Sequence, residues 1–361
     1  MTAAPKFTFH VVALPHTQTT AEYTHCAYTQ KVRKFCNMMH DLGHKVILYA
    51  SEENEARVSE LVTVITKEEQ KRIFGDFDHT KKFFTVTWGA YDPGWVEMNS
   101  AVIREMATRI QPRDFICLIG GTAQEIIANA FSSNMSVEYG IGYLGTFSQY
   151  RVFESYAHMH YIHGQDRNDN GNFYEAVVPN YYDTNEFPFS ESTDDYFLFV
   201  GRLVDRKGWR IAQEVCEKLG KRLIVAGQGD FSGYGEHIGV VGVKKRGELM
   251  SRAKGVFVPT TYLEPFGGVH AEAQLCGTPV ITTNFGVFTE TVTNGVNGYR
   301  CDVFRDFLKA TEAIETFSLA QRKRIRAAAQ ARFSTKHVQN EYQAYFSRLY
   351  DLWDEGWYSA S

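Results

Sequence analysis

The sequence predicts an α/β protein built from two doubly wound, Rossmann-like domains in tandem, and three observations carry that prediction. Short β-rich runs alternate with amphipathic stretches through the first half, and the same alternation restarts after residue 195. Between them lies NEFPFSESTDD, rich in Pro, Ser and acidic residues, which reads as a linker. A chain of 361 residues is long enough for two cores of ordinary size.

The elements follow in order. FTFHVVAL reads as a first strand and HKVILYA as a second. Between them, TQKVRKFCNMMHDLG is a helix with Val32, Phe35, Cys36 and Met39 on one face and Gly43 suited to its stop. VIREMATRI, DFICLIGG and TAQEIIANAF continue the helix–strand–helix rhythm. The second run reads DYFLFVG, WRIAQEVCEKLG, KRLIVAG, GVFVPT, VHAEAQLCG and TPVITT. The expected boundaries are 1–185, 196–335 and a terminal helical segment 336–361 that returns to the first domain. In that segment Tyr342, Phe346, Tyr350 and Trp353 form an aromatic stripe at helical spacing, which reads as core packing.

Composition excludes several classes. Hydrophobic residues make up 44% and charged residues 22%, which is ordinary for a globular protein and unlike a disordered one. The N-terminal MTAAPKFTFHVVALPH has one Lys and a short apolar run without a cleavage-type small-residue site, so it reads as a strand and not a signal peptide. No apolar stretch reaches the ~18 residues that span a bilayer, and a cytoplasmic protein is expected. The six cysteines form no CxxC pair and read as reduced core thiols. Net charge is -4, and splitting the chain after Asp183 gives 16 basic and 21 acidic residues before the cut, 22 and 21 after it. Neither half is basic, which disfavours a nucleic-acid partner or an anionic membrane surface.

The stretch EPFGGVHAE, residues 264–272, holds the densest chemistry. It lies between the strand GVFVPTT and the helix VHAEAQLC, and Pro265 keeps Glu264 out of helical geometry, in the loop past the strand's carboxyl end. Gly267 and Gly268 leave backbone N–H groups uncovered where the helix begins, a place for phosphate. Carboxylates would repel a phosphate they touched, so hydroxyls are the partners expected for Glu264 and Glu272. A central diphosphate with a polyol on each side is a nucleotide sugar. Taken singly, Glu272 reads as a complement to the helix dipole and Glu264 as a solvated loop residue; the pair around Gly-Gly does not.

VGRLVDRKGW follows the strand DYFLFV and sets Arg202 and Lys207 near the same edge of the second sheet, where open α/β sheets bind ligands. Two cations there would neutralise a diphosphate leaving group. A charge pair in a loop is otherwise ordinary solvated surface.

These residues carry a resemblance. GRLVDRKG, RLIVAGQG and PTTYLEPFGGVHAEAQLCGTPVITTNFGVFTETVTNGVNGY resemble the C-terminal domain of family-4 retaining glycosyltransferases of the GT-B fold, in which two Rossmann-like domains face a central cleft. LGHKVILYA and VVPNYYDTNEF extend the likeness weakly into the first half. The resemblance implies that Glu264 binds hydroxyls of the transferred sugar, Glu272 the ribose diol, and Arg202 with Lys207 the diphosphate. It implies that the backbone of Phe266, Gly267 and Gly268 lies against sugar and phosphates, and Gly242 and Val243 near the base. The implied reaction is transfer with retention from a nucleotide-diphosphate sugar to a hydroxyl of a carbohydrate or lipid-linked acceptor, with no cofactor and no metal. A modified nucleic-acid base is a minor acceptor. A nucleotide-sugar epimerase or hydrolase on the same fold, and a non-catalytic nucleotide-sugar-binding module, are the competing readings.

The chain also departs from the family pattern. LPHTQTTAEYTHCAYT stands where many members carry Gly-Gly, which makes His25 a candidate contact to acceptor or donor sugar, with His158 a weaker one. GQGDFSG reads as a turn leading to a strand-like VVGV rather than a dinucleotide fingerprint. DRNDNGNFYE opens like a calcium loop but has Val177 at the twelfth position, so a polar hairpin is expected. His158, His160 and His163 do not share one helical face and read as no metal site.

Overall fold

The computed structural model describes residues 5–23, 26–76, 78, 86–171 and 173–353. The chain folds as two units, each around its own parallel sheet. The first takes the described residues up to Phe153, together with Asn170–Ala176 and those from Gln339 onward; the second takes Glu154–Asp169 and Val177–Val338.

The first unit runs β1 (Thr8–Val12), α1 (Ala27–Asp41), β2 (Lys45–Ala50), β3 (Glu60–Thr63), α2 (Lys67–Phe74), α3 (Pro93–Met106), β4 (Phe115–Leu118), α4 (Glu125–Ala130), β5 (Ser136–Ile141) and β6 (Tyr150–Phe153). After α5 (Tyr156–Gln165) comes β7 (Glu175–Val177), which closes a sheet of order β3-β2-β1-β4-β5-β6-β7. β1 is central and pairs in parallel with β2 and β4, Phe9 lying opposite Val46 on one side and Phe115 on the other. Buried on both faces, such strands need near-continuous apolar runs, and VVAL, VILY and FICL supply them. The helix over Thr335–Asp351 sends Phe346 into this core, with ring centroids 4.7 Å from Phe9 and 5.0 Å from Phe115. Tyr342 and Trp353 are buried beside it.

The second unit runs β8 (Phe197–Val200), α6 (Trp209–Leu219), β9 (Leu223–Ala226), β10 (Glu236–His237), α7 (Val243–Arg252), β11 (Val256–Val258), α8 (Gly268–Leu275), β12 (Val280–Thr283), α9 (Phe288–Thr291), β13 (Gly298–Cys301), α10 (Phe304–Ile314) and α11 (Leu319–Phe333), ahead of α12 (Thr335–Asp351). Its sheet has the order β10-β9-β8-β11-β12-β13, every pair parallel. From β8 the chain winds outward one way through β9 and β10, then returns to the other side with β11. That reversal opens a crevice at the carboxyl ends of β8 and β11, the usual ligand position in such sheets.

Two local readings change. VVGV is not a strand: β10 ends at His237, and Gly242 instead caps α7, whose first residue is Val243. The DRNDNG segment is the end of α5 followed by a turn, with Asp166 as the C-cap and Arg167 at φ +53°, and not a hairpin. Among the described residues no helix is long and apolar enough to cross a membrane.

Candidate active site

The crevice of the second unit holds a small, partly open pocket lined by Phe199 and Val200 from the end of β8 and Val258 and Thr260 from the end of β11. Lys207, Glu264 and the Gly267–Gly268–Val269 backbone complete the lining. Two stretches singled out in the sequence thus meet in one place. The reason is topological: β8 and β11 are neighbours, so the loops that follow them share one edge.

Lys207 Nζ donates to Glu264 Oε2 at 2.8 Å and to the Tyr262 hydroxyl at 2.7 Å. An ammonium has three N–H groups, and these two bonds leave one for an incoming ligand. Tyr262 is the hub of the cluster, with the Arg206 guanidinium 5.0 Å from its ring centroid and Lys207 Nζ also at 5.0 Å. Burial and the neighbouring Glu264 push its hydroxyl pKa up, while Arg206 and Arg202 act in the opposite sense. The phenol is therefore a neutral donor, and Arg202, Lys207 and Glu264 are gathered around it. Tyr262 was not picked out from the sequence, where an aromatic in a loop carries no distinguishing signal.

Gly267 is at φ +72°, in the left-handed region, and caps α8 with no side chain covering the first N–H groups. A Cβ on Gly268 would stand 2.7 Å from the Tyr182 hydroxyl, so the backbone there is bare because nothing larger fits. Tyr182 is buried, with Glu272, Glu154 and Glu264 all acting to keep its phenol protonated. The Phe266 side chain points into the core against Phe333, so only its backbone can face a ligand. The loop is fixed from beneath: Ser155 Oγ donates to the Pro265 carbonyl at 2.6 Å and accepts from His158 N–H. Glu290 accepts from the N–H groups of Tyr156 and Ala157 at the start of α5.

Glu272, on α8, is buried and paired with Arg246 of α7. Nη2 of Arg246 donates to Oε1 at 2.8 Å, and Nε stands 2.6 Å from Oε2 without hydrogen-bond geometry. Gly242 and Val243 lie one turn before Arg246 and do not line the pocket; the Gly242 carbonyl accepts from Arg246 N–H. His25 lies outside the described residues. His158 is buried in α5 and is not part of the pocket lining. Chemically, the pocket offers an ammonium, bare helix-start N–H groups and a carboxylate side by side, a set suited to phosphate on one side and hydroxyls on the other.

Residues 183–332 match the family model of glycosyl transferases group 1. Every pocket residue lies within this group 1 segment, as do Arg246, Tyr262 and Glu272. Glycogen synthase of Mycobacterium tuberculosis is 30% identical over 186 aligned positions, covering 43% of this chain and 43% of that protein. The chain spans less than half the length of the curated relatives it matches. Among solved structures, sucrose-phosphate synthase of Thermosynechococcus elongatus is similar with a TM-score of 0.69 at 13% identity, covering 96% of this chain and 100% of that one. Anabaena Alr3699/HepE in complex with UDP and glucose is similar with a TM-score of 0.67 at 14% identity, covering 94% of this chain and 99% of that one. At these identities the likeness is one of fold, and the fold is that of GT-B glycosyltransferases: two parallel-sheet, Rossmann-like α/β units.

Proposed function

We propose that the chain is a retaining glycosyltransferase that moves a sugar from a nucleotide-diphosphate sugar to a hydroxyl of a glycan or lipid-linked acceptor. The observation that carries the reading is the Lys207–Glu264 pair set against the bare Gly267–Gly268 backbone at the switch point of the second sheet. In this reading Lys207, with its third N–H, and Arg202 neutralise the diphosphate, a role that a metal fills elsewhere. The N–H groups at the start of α8 bind phosphate oxygens. Glu264 accepts from hydroxyls of the transferred sugar, and Glu272 from the ribose. The bond from the anomeric carbon to the phosphate oxygen breaks, and the bond to the acceptor oxygen forms on the same face. The acceptor proton passes to the departing phosphate, so no protein base is required. The name glycogen synthase supports a glycan acceptor, and the HepE complex with UDP and glucose supports a nucleotide-hexose donor.

A thermal-shift screen of nucleoside diphosphates and their sugars tests the donor, since a ligand that binds only the folded state raises Tm. Turnover with the donor so found is then compared between the wild type and Glu264→Ala, which is expected to abolish transfer. Near-normal turnover of Glu264→Ala would sink the assignment. Free sugar or an epimer formed without acceptor would point to a hydrolase or epimerase, and binding without turnover to a binding module.

A further inference from the structure

Of the three polar side chains in the stretch 264–272, the transfer chemistry uses the two glutamates and leaves His270 unexplained. Its ring is fully buried and enclosed by Phe266, Phe288 and Phe333, with centroids at 5.2, 5.5 and 6.1 Å. Burial pushes its pKa down to about 4, so the ring is neutral near pH 7 and has a single N–H. Nδ1 stands 2.5 Å from the Gly267 carbonyl oxygen, which can only accept, so the proton is on Nδ1. Nε2 is then the acceptor nitrogen, buried and without a partner among the protein's described atoms. A Leu would fill the same aromatic cage but offer no donor to the Gly267 oxygen, so what the histidine adds beyond packing is that one bond.

The bond acts on a specific peptide plane. In a trans peptide the C=O of Gly267 and the N–H of Gly268 point in opposite directions. The Gly267 oxygen is turned inward, held by His270 Nδ1 and by the His270 backbone N–H at 3.1 Å. The Gly268 N–H must therefore point outward, on the side where both glycines line the pocket. Gly267 is itself in left-handed geometry, where a glycine peptide can rotate at little steric cost unless something grips it.

We infer that His270 is a positioning residue: by gripping the Gly267 oxygen from the core it sets the tilt of the Gly267–Gly268 peptide and aims the Gly268 N–H at a phosphate of the donor. This rests on the nucleotide-sugar reading of the pocket.

Two amide variants separate position from polarity. His270→Asn sets an NH2 near the place of Nδ1, whereas His270→Gln carries the same group out to the place of Nε2, away from the Gly267 oxygen. The wild type and both variants are titrated with UDP, GDP and ADP and with the parent nucleosides, and the Tm rise is read from each variant's own ligand-free value. The expected result is that Asn keeps the diphosphate affinity within about threefold of the wild type. Gln is expected to lose at least about tenfold, the worth of one hydrogen bond to a charged group, while nucleoside binding stays unchanged in both. A purely structural role would move ligand-free Tm but not the ratio of diphosphate to nucleoside affinity. If Asn and Gln keep the wild-type ratio alike, the inference is overturned. A wild type that no nucleoside diphosphate stabilises overturns the transfer reading, and this inference with it.

Discussion

Arg246 pairs with the Glu272 carboxylate, Nη2 donating to Oε1 at 2.8 Å while Nε lies 2.6 Å from Oε2 as an ion-pair contact, and so ties α7 to α8 beside the pocket. The pair is largely out of water, with side-chain exposures of 22% and 9%. Arg246→Met keeps the alkyl stem but strands a buried carboxylate, which costs on the order of 3 kcal/mol of stability. Urea unfolding measures it, and adding Glu272→Gln to the same chain should recover part of the loss, because the stranded charge is gone.

Tyr262→Phe removes one hydroxyl and leaves the ring that Arg206 covers. Lys207 then loses one of its two fixed acceptors and Glu264 its neighbouring donor. The fold should be unaffected and kcat/KM for the nucleotide-sugar donor should fall about tenfold, in line with the loss of one hydrogen bond in a charged cluster. Unchanged steady-state kinetics would show that Lys207 holds its place through Glu264 alone.

Gly267→Ala meets two obstacles. The left-handed backbone costs a side chain about 1–2 kcal/mol, and the new Cβ would lie 2.8 Å from Glu264 Cγ. The second obstacle is the informative one, since relief requires Glu264 to move. A lowered Tm is expected together with loss of transfer, whereas Gly220→Ala, also left-handed but with open space around it, should lower Tm alone.

The β-α-β rhythm and the EPFGGVHAE loop were legible in the sequence because both are local. Strand alternation, Pro265 before a glycine pair and a helix directly after it are patterns within a dozen residues. The partners of that loop were not. Arg246 sits in KKRGE, which reads as a solvated helix face, and only the packing of α7 on α8 turns it toward Glu272. Tyr182 and Ser155 reach the same loop from more than 80 residues away, and nothing in their neighbourhood foretells it. VVGV misled for the opposite reason, since β-branched residues imitate a strand where Gly242 begins a helix.

The first unit carries a buried acid that gives a pH signature. Burial pushes the Glu138 carboxyl from an ordinary 4.5 up to about 7, against hydrogen bonds from Phe147 N–H, Ser148 N–H and the Tyr143 hydroxyl and the nearby Arg151 charge. Between these two values the folded chain keeps a proton that the unfolded chain has released, so this contribution to stability falls as pH rises through the window. Glu138→Gln should flatten that part of the pH–stability curve in urea titrations; curves that stay parallel would remove Glu138 as its source.

The cysteines separate by exposure. Cys26 is half-buried and the other five are buried, with Cys216, Cys276 and Cys301 thiols pushed up to about 12 by burial. A thiol reagent at pH 7 should label Cys26 quickly and the others only after denaturant is added, which mass spectrometry can count.

Phe346 packs edge-on against the stacked rings of Phe9 and Phe115, although the strands that carry those two rings belong to the opening third of the chain. During synthesis the first sheet therefore leaves the ribosome with its core unplugged and waits, through translation of the whole second unit, for the ring that completes it. The order in which the two units mature is then the reverse of the order in which they are made, and the early sheet is the part that a chaperone would have to shelter.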